Sequence, residues 1–272
     1  MEARIAHASY EALVADPGID AIYIGTPNGD HAKWALAAAE AGKHVLCDKS
    51  LCLRDEEADA LRAAFAKKKL RLVEGFMVRH HPQWSRARDL VNEIGGATHI
   101  RAWFRAMLDR EDDHRWSAEL GGGALFDVGC YTINAARYFA GEEPRRAQAF
   151  TKLRASGVDE STDALLEFPG GTIASIHGSL RAPFEQGVVV SGPRGRVIVE
   201  RPFVPHWEPA EIVIERDGRR EVERIGGANH FLHLVEHVEQ CILDPWKDLY
   251  PAEDGVANVA ACNLVRRASI EA

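Results

Sequence analysis

The sequence predicts a chain of two fold classes in succession: an α/β segment on a short parallel sheet, then a larger α+β segment on a mostly antiparallel open sheet. Three observations carry this. Up to about residue 78 short apolar runs alternate with helical segments, which is the pattern of βαβ units. Beyond it, strand-like runs follow one another with turn signals between them, and two long helical patterns close the chain. With 272 residues, 46% of them hydrophobic and 27% charged, the chain has the composition of a globular protein that buries a large core.

The elements follow in order. Asp20–Gly25 is an apolar strand that ends in the turn cluster Thr26-Pro27-Asn28-Gly29, and Ala32–Ala41 is an alanine-rich helix stopped at Gly42. Lys43–Cys47 is a second strand. Asp55-Glu56-Glu57 opens the next helix and Lys67-Lys68-Lys69 closes it, which sets each charge sign at the favourable end of the helix dipole. Leu72–Phe76 is a third strand, and right-handed crossovers make the three parallel. A helix through Trp84 and Leu90 leads to a strand in which Ile100, Ala102, Phe104, Ala106 and Leu108 alternate with His99, Arg101, Trp103 and Arg105 on the opposite face. A glycine-opened helix spans Gly123–Ala140. Strands are expected near 148–153, 163–168, 172–180, 188–191 and 196–200, then at 212–214 and 221–225 around the hairpin dipeptide Asp217-Gly218. Helices near 230–243 and 253–268 finish the chain.

Charge and cysteine content exclude several classes. With 33 basic against 41 acidic side chains the net charge is −8, and no segment gathers the positive charge a nucleic-acid binder needs. No run approaches the ~20 apolar residues of a membrane span. The first residues lack the basic-then-apolar order of an export signal. Cys47, Cys52, Cys130, Cys241 and Cys262 are odd in number and scattered, as expected of reduced thiols in a cytoplasmic protein.

Three constellations could carry chemistry. Thr26-Pro27-Asn28 with His31 stands at the carboxyl end of a parallel strand, where open α/β sheets bind ligands; the plainer alternative is an N-cap turn with Asn28 or Asp30 on the backbone donors. Asp48-Lys49-Ser50 leaves the next strand at the same edge, and its lysine is either a surface residue or a donor that polarises a hydroxyl or carbonyl. In Gly121-Gly122-Gly123 through Tyr131, the four-residue spacing sets Asp127 and Tyr131 on one helix face. A tyrosine beside a lysine can exchange protons, and it can equally be a buried residue bonded to Asp127. The triplet is not a phosphate loop, because Phe126 stands where a final Gly or Ala belongs. His233-Leu234-Val235-Glu236-His237 matches the HxxEH pattern of some zinc peptidases, but its neighbours have ordinary core spacing and no metal is expected.

Together these segments resemble the Gfo/Idh/MocA family of nicotinamide-dependent oxidoreductases, particularly its glucose-fructose oxidoreductase, xylose dehydrogenase and dihydrodiol dehydrogenase branch. The likeness runs from Ser9-Tyr10 through the Thr26-Pro27-Asn28 turn, Ala41–Lys49, Phe76–Pro82, the glycine-triplet helix, Val158–Thr162 and Gly192–Arg196 to the last helix. It implies an NAD or NADP cofactor whose nicotinamide end is lined by Thr26, Pro27, Asn28, His31 and Lys49. It implies proton transfer by Tyr131, with Lys49 and Asp127 as catalytic partners and Asp127 and Arg115 on the substrate. The substrate would be a sugar or cyclic diol, and the open sheet would make a homo-oligomer. Two departures stand out. Glu-Lys-Pro has become Asp48-Lys49-Ser50, and no GxGxxG unit precedes Ser9, so roughly 60 residues of two βα units are expected to be missing. On this reading 1–78 is a truncated Rossmann-like domain and 79–272 the substrate and oligomerisation domain. Weak cofactor binding and impaired activity follow as expectations, with a cofactor-free binding subunit, lyase or isomerase as the alternative.

Overall fold

A computed structural model describes residues 5–205, 207–247 and 250–271 of the chain. Helix α1 (Tyr10–Ala15) leads into β1 (Ala21–Ile24), α2 (Asn28–Glu40), β2 (His44–Cys47), α3 (Asp55–Lys68) and β3 (Leu72–Glu74). The strands form a parallel sheet in the order β1-β2-β3, as the alternating pattern predicts. Helices α2 and α3 lay Ala35, Ala38, Leu61 and Phe65 on one face of it, all buried with Val45 and Leu72. Glu57 supports the start of α3 by accepting from the Leu53 and Arg54 amides, both at 3.2 Å. The far edge of β1 pairs with no strand among the described residues, and its Tyr23 is 62% exposed.

After a 3-10 turn at Met77–His80 come α4 (Pro82–Glu93) and β4 (His99–Met107), then a π-helical turn at Leu125–Gly129 that runs into α5 (Cys130–Ala140). Strands β5 (Arg146–Leu153), β6 (Asp159–Glu167), β7 (Ile173–Ser179), β8 (Arg181–Gly192), β9 (Gly195–Val199), β10 (Ala210–Arg216) and β11 (Arg219–Ile225) follow, and then α6 (His230–Leu243), α7 (Ala252–Ala268) and β12 (Ser269–Glu271). The second sheet has nine strands in the order β11-β10-β9-β8-β4-β7-β6-β5-β12. Among the described residues only the β4/β7 and β5/β12 pairs of this sheet are parallel. Asp217 and Gly218, at φ 52° and 73°, make the expected β10–β11 hairpin turn.

Its inner face is closed by α4, α5 and α7. Trp84 is the largest fully buried side chain, stacked on Phe139 at 5.5 Å with its indole N–H donating to the Pro202 carbonyl at 3.0 Å. The π turn lies close to the sheet at Gly178, where a Cβ would stand 2.9 Å from the Gly129 Cα. The outer face carries Arg101 over the Trp103 ring at 4.7 Å, as the strand alternation predicts.

The two sheets separate between β3 and β4, but helices cross from one to the other. Leu234 and Val238 of α6 pack on Leu46 and Val73 of the parallel sheet, and Val259 of α7 enters its core. A buried ionic cluster fastens this return: Asp254 on α7 meets the guanidinium groups of Arg79 and Arg137, whose side chains are only 4% and 3% exposed. The chain therefore closes back on its first layer.

Candidate active site

Three backbone segments converge at the carboxyl end of the parallel sheet. Two are the loops after β1 and β2, Thr26-Pro27-Asn28 and Asp48-Lys49-Ser50. The third is the glycine bend before the π turn. Two of its glycines are required by close approach: a Cβ at Gly122 would lie 2.2 Å from the Arg115 carbonyl oxygen, and one at Gly123 2.1 Å from Asp159 Oδ1. The bend is tied across the domains. Asn28 donates its side-chain amide to the Gly121 carbonyl at 3.3 Å, the Gly29 amide donates to Leu120 at 3.0 Å, and the Gly123 amide donates to Arg115 at 2.9 Å. Asn28 thus bridges to the second domain; the N-cap of α2 is Pro27, without a side-chain cap.

Asp127 is the centre of the site. Lys49 Nζ donates to its carbonyl at 2.8 Å and to Oδ1 at 2.9 Å, and Arg115 Nε donates to Oδ2 at 2.9 Å. The π turn puts Asp127 where its main chain and side chain serve one ammonium together, a common use of π geometry. Burial would raise the Asp127 carboxyl, but the Lys49 and Arg115 charges outweigh it and hold it below the usual carboxylate range. Burial likewise opposes the Lys49 charge, and Asp127 reverses that, so the ammonium is held more firmly than in water.

Tyr131 lies one turn on, with Lys49 Nζ 5.2 Å above its ring. Its hydroxyl points away from Asp127 toward Met77 Sδ at 3.5 Å, among Phe76, Phe104 and Phe203. Burial pushes the phenol upward, and Lys49 only partly offsets this. Thr26, Pro27, Asn28, Lys49, Arg115 and Asp127 line one cavity of about 200 Å³. The side-chain hydroxyl of Thr26 is buried there without a hydrogen-bond partner. A nicotinamide carboxamide has the donor and acceptor such a group lacks, so the residues present fit that end of the cofactor.

His31 sits elsewhere. It is fully buried beneath the turn, with Nδ1 2.7 Å from the Ser50 carbonyl and Nε2 2.8 Å from the Thr26 carbonyl, and so ties the two loops together from below. Three supporting residues had no role in the sequence reading. Glu74, at the end of β3, accepts the Leu51 amide at 2.7 Å behind the lysine loop, and burial pushes its carboxyl up to about 8. Asp159 accepts the Leu125 amide at 2.6 Å at the head of the π turn. Met77 covers the tyrosine. A glutamate inside the apolar run Leu72–Phe76 was the available signal for the first; the other two depend on contacts between distant segments.

The HxxEH histidines do not converge. His233 is turned to Glu236 at 3.1 Å, while His237 is buried with its ring 4.9 Å from that of His80 and Nε2 3.3 Å from the Cys241 sulfur. Among the described residues no group of three or more His, Cys, Asp or Glu side chains could hold a metal ion. The five cysteines are buried and form no disulfide among the described residues. No helix is long and apolar enough to cross a membrane among the described residues.

Comparison with known proteins places the chain in a family. The oxidoreductase family with an NAD-binding Rossmann fold matches residues 2–76, and the GFO/IDH/MocA C-terminal domain matches residues 84–198. The first match begins at residue 2, which lends no support to the expected truncation. A D-xylose 1-dehydrogenase (NADP+) of Haloferax volcanii is 38% identical over 85% of this chain and 72% of its own length. A trans-1,2-dihydrobenzene-1,2-diol dehydrogenase of Xenopus laevis is 31% identical over 89% of this chain and 76% of its own. Among solved structures, a 3-ketoreductase from Actinomadura kijaniata in complex with NADP and TDP-benzene has a TM-score of 0.91 at 29% identity, covering 97% of this chain and 82% of its own. The same ketoreductase has been solved with a tyrosine replaced by phenylalanine and with a lysine replaced by alanine or glutamate. Fold and relatives agree: the chain belongs to the Gfo/Idh/MocA family of NAD(P)-dependent oxidoreductases, whose members here act on sugars or sugar-like substrates.

Proposed function

We propose that the chain oxidises and reduces a secondary alcohol carbon on a sugar ring. The observation that carries this is the convergence of Lys49, Arg115 and Asp127 on one side of the Thr26-Pro27-Asn28 turn, with Tyr131 next to the ammonium. Thr26, Pro27, Asn28 and Lys49 would hold the nicotinamide end of NAD or NADP, which when bound supplies or accepts the hydride. Lys49 stabilises negative charge developing on the substrate oxygen, and Asp127 keeps that ammonium charged and aimed. Arg115 fixes the second Asp127 oxygen and offers its remaining donors to substrate hydroxyls. The Tyr131 phenol exchanges the hydroxyl proton once the substrate oxygen replaces Met77 at its O–H. The D-xylose dehydrogenase, at 38% identity against 31% for the dihydrodiol dehydrogenase, supports a pentose or hexose over a cyclic diol. Neither the site nor the relatives shows a sign of impairment or of the cofactor-free alternative.

The test is direct. NADP+ or NAD+ is mixed with the chain and D-xylose, other aldoses or a trans-cyclohexanediol, and nicotinamide reduction is followed by absorbance, with NADPH fluorescence titrated in parallel. Turnover with an aldose is expected. Sugar binding with neither turnover nor NADPH binding would instead favour the cofactor-free reading.

Assembly is part of the same proposal. On the outer face of the nine-stranded sheet Phe150 of β5 and Leu165 of β6 are 60% and 49% exposed on adjacent strands, apolar surface of the kind that marks an interface. Light scattering at micromolar concentration should give twice the chain mass; a monomer would refute a dimer through this face.

A further inference from the structure

A second cavity stands apart from the one lined by Lys49 and Asp127. It lies behind the glycine bend, encloses about 430 Å³ and is walled by Leu53, Leu125, Phe126 and Val158. That volume suits a small organic molecule, and an apolar wall with a few placed polar groups is the usual make-up of a ligand site. The polar groups here are distinctive. The guanidinium of Arg266, from the last turn of α7, stands 5.5 Å from the Phe126 ring centroid at the edge of the space. It has no carboxylate partner among the described residues, whereas the adjacent Arg267 is paired with Asp55 at 2.8 Å. The cavity floor carries a run of hydroxyls: Ser269 and Thr151 are 2.9 Å apart, Thr151 and Thr162 3.2 Å, and Thr162 donates to Asp159 at 3.1 Å. Asp159 Oδ2 accepts both that hydroxyl and the Leu125 amide, and no ion pair joins Asp159 to Arg266 among the described residues.

We propose that this cavity is a second small-molecule site, selective for a compact aromatic or branched carboxylate. The apolar body of the ligand would replace empty space against Leu53, Leu125 and Val158. Its carboxylate would pair with Arg266, whose planar fork suits a carboxylate and whose face is already held over Phe126. The floor hydroxyls disfavour a purely aliphatic occupant and accept one with a ring hydroxyl. This assignment is independent of the proposed reaction: Lys49, Arg115 and Tyr131 do not line the space.

The experiment titrates the full chain with benzoate, benzyl alcohol and benzylammonium, following ligand resonances by saturation-transfer NMR and melting temperature. A fragment of this size should bind benzoate with a dissociation constant on the order of millimolar. Arg266→Gln, an exposed substitution, should weaken benzoate by about five-fold or more and leave benzyl alcohol unchanged. Lys49→Ala should leave benzoate binding intact. The proposal is overturned if benzoate shows no saturable binding up to about 20 mM, if benzylammonium binds as well, or if the loss follows Lys49→Ala while Arg266→Gln has no effect, which would place the anion in the catalytic cavity.

Discussion

Tyr131→Phe is expected to lower kcat for sugar oxidation by about 10²- to 10⁴-fold while changing KM by less than about three-fold. The reasoning rests on what the hydroxyl does in the free protein. Its one acceptor is the Met77 thioether at 3.5 Å, a weak partner, so its removal leaves no strong donor or acceptor stranded. The ring keeps its contacts with Phe76, Phe104 and Phe203, and melting temperature should stay within a few degrees. A large fall in rate on an unchanged fold then belongs to the proton. The pH profile sharpens the test. Burial holds the phenol above its ordinary value, so the base form needed for oxidation is scarce at neutral pH. The oxidation rate should rise about ten-fold per pH unit well below that pKa, whereas ketone reduction, which uses the phenol as acid, should be nearly flat. The variant should lose the slope. Full turnover in Tyr131→Phe, or a slope that survives it, would remove Tyr131 from the reaction.

How much of this was readable beforehand depends on the range of each interaction. The strands and helices of both layers follow from period-2 and period-3.6 patterns and from turn residues, so β4, the Asp217-Gly218 hairpin and α6 stand where the sequence puts them. Lys49, Asp127 and Tyr131 were identifiable as residue types in context. Their mutual geometry was not. A four-residue spacing predicts Asp127 and Tyr131 stacked on an α-helical face, but the segment opens with a π turn, and the Tyr131 hydroxyl goes to Met77 instead. His31 illustrates the same limit. Three residues after Asn28 it appears ready to face the ligand, yet it is buried between two carbonyls, one of them from Ser50 in the next loop. The return of α6 and α7 to the first sheet also depends on contacts such as Arg79 to Asp254, far apart in the chain. Local pattern carries the elements; packing between distant segments decides which way a site residue faces.

That dependence predicts where the site is most fragile. Gly123→Ala should destabilise the chain by about 3–5 kcal/mol in urea unfolding, from two additive causes. At φ +113° an alanine is strained, at a cost of about 1–3 kcal/mol. Its Cβ would also stand 2.1 Å from Asp159 Oδ1, so the carboxylate must withdraw from the Leu125 amide and give up a charge-assisted hydrogen bond of about 1.5–3 kcal/mol. Gly141→Ala separates the two. Gly141 has φ +73° at the end of α5 with nothing within 4 Å of a Cβ, so it should lose only about 1 kcal/mol. The functional consequence differs in the same way. Gly123 donates to Arg115 and lies four residues before Asp127, so moving it shifts the carboxylate that aims Lys49. In Gly123→Ala, kcat should fall by more than ten-fold under conditions where the protein is still folded, while Gly141→Ala stays near wild type. Equal losses of stability in the two variants would show that backbone strain alone, not the approach of Asp159, sets the geometry of the catalytic helix.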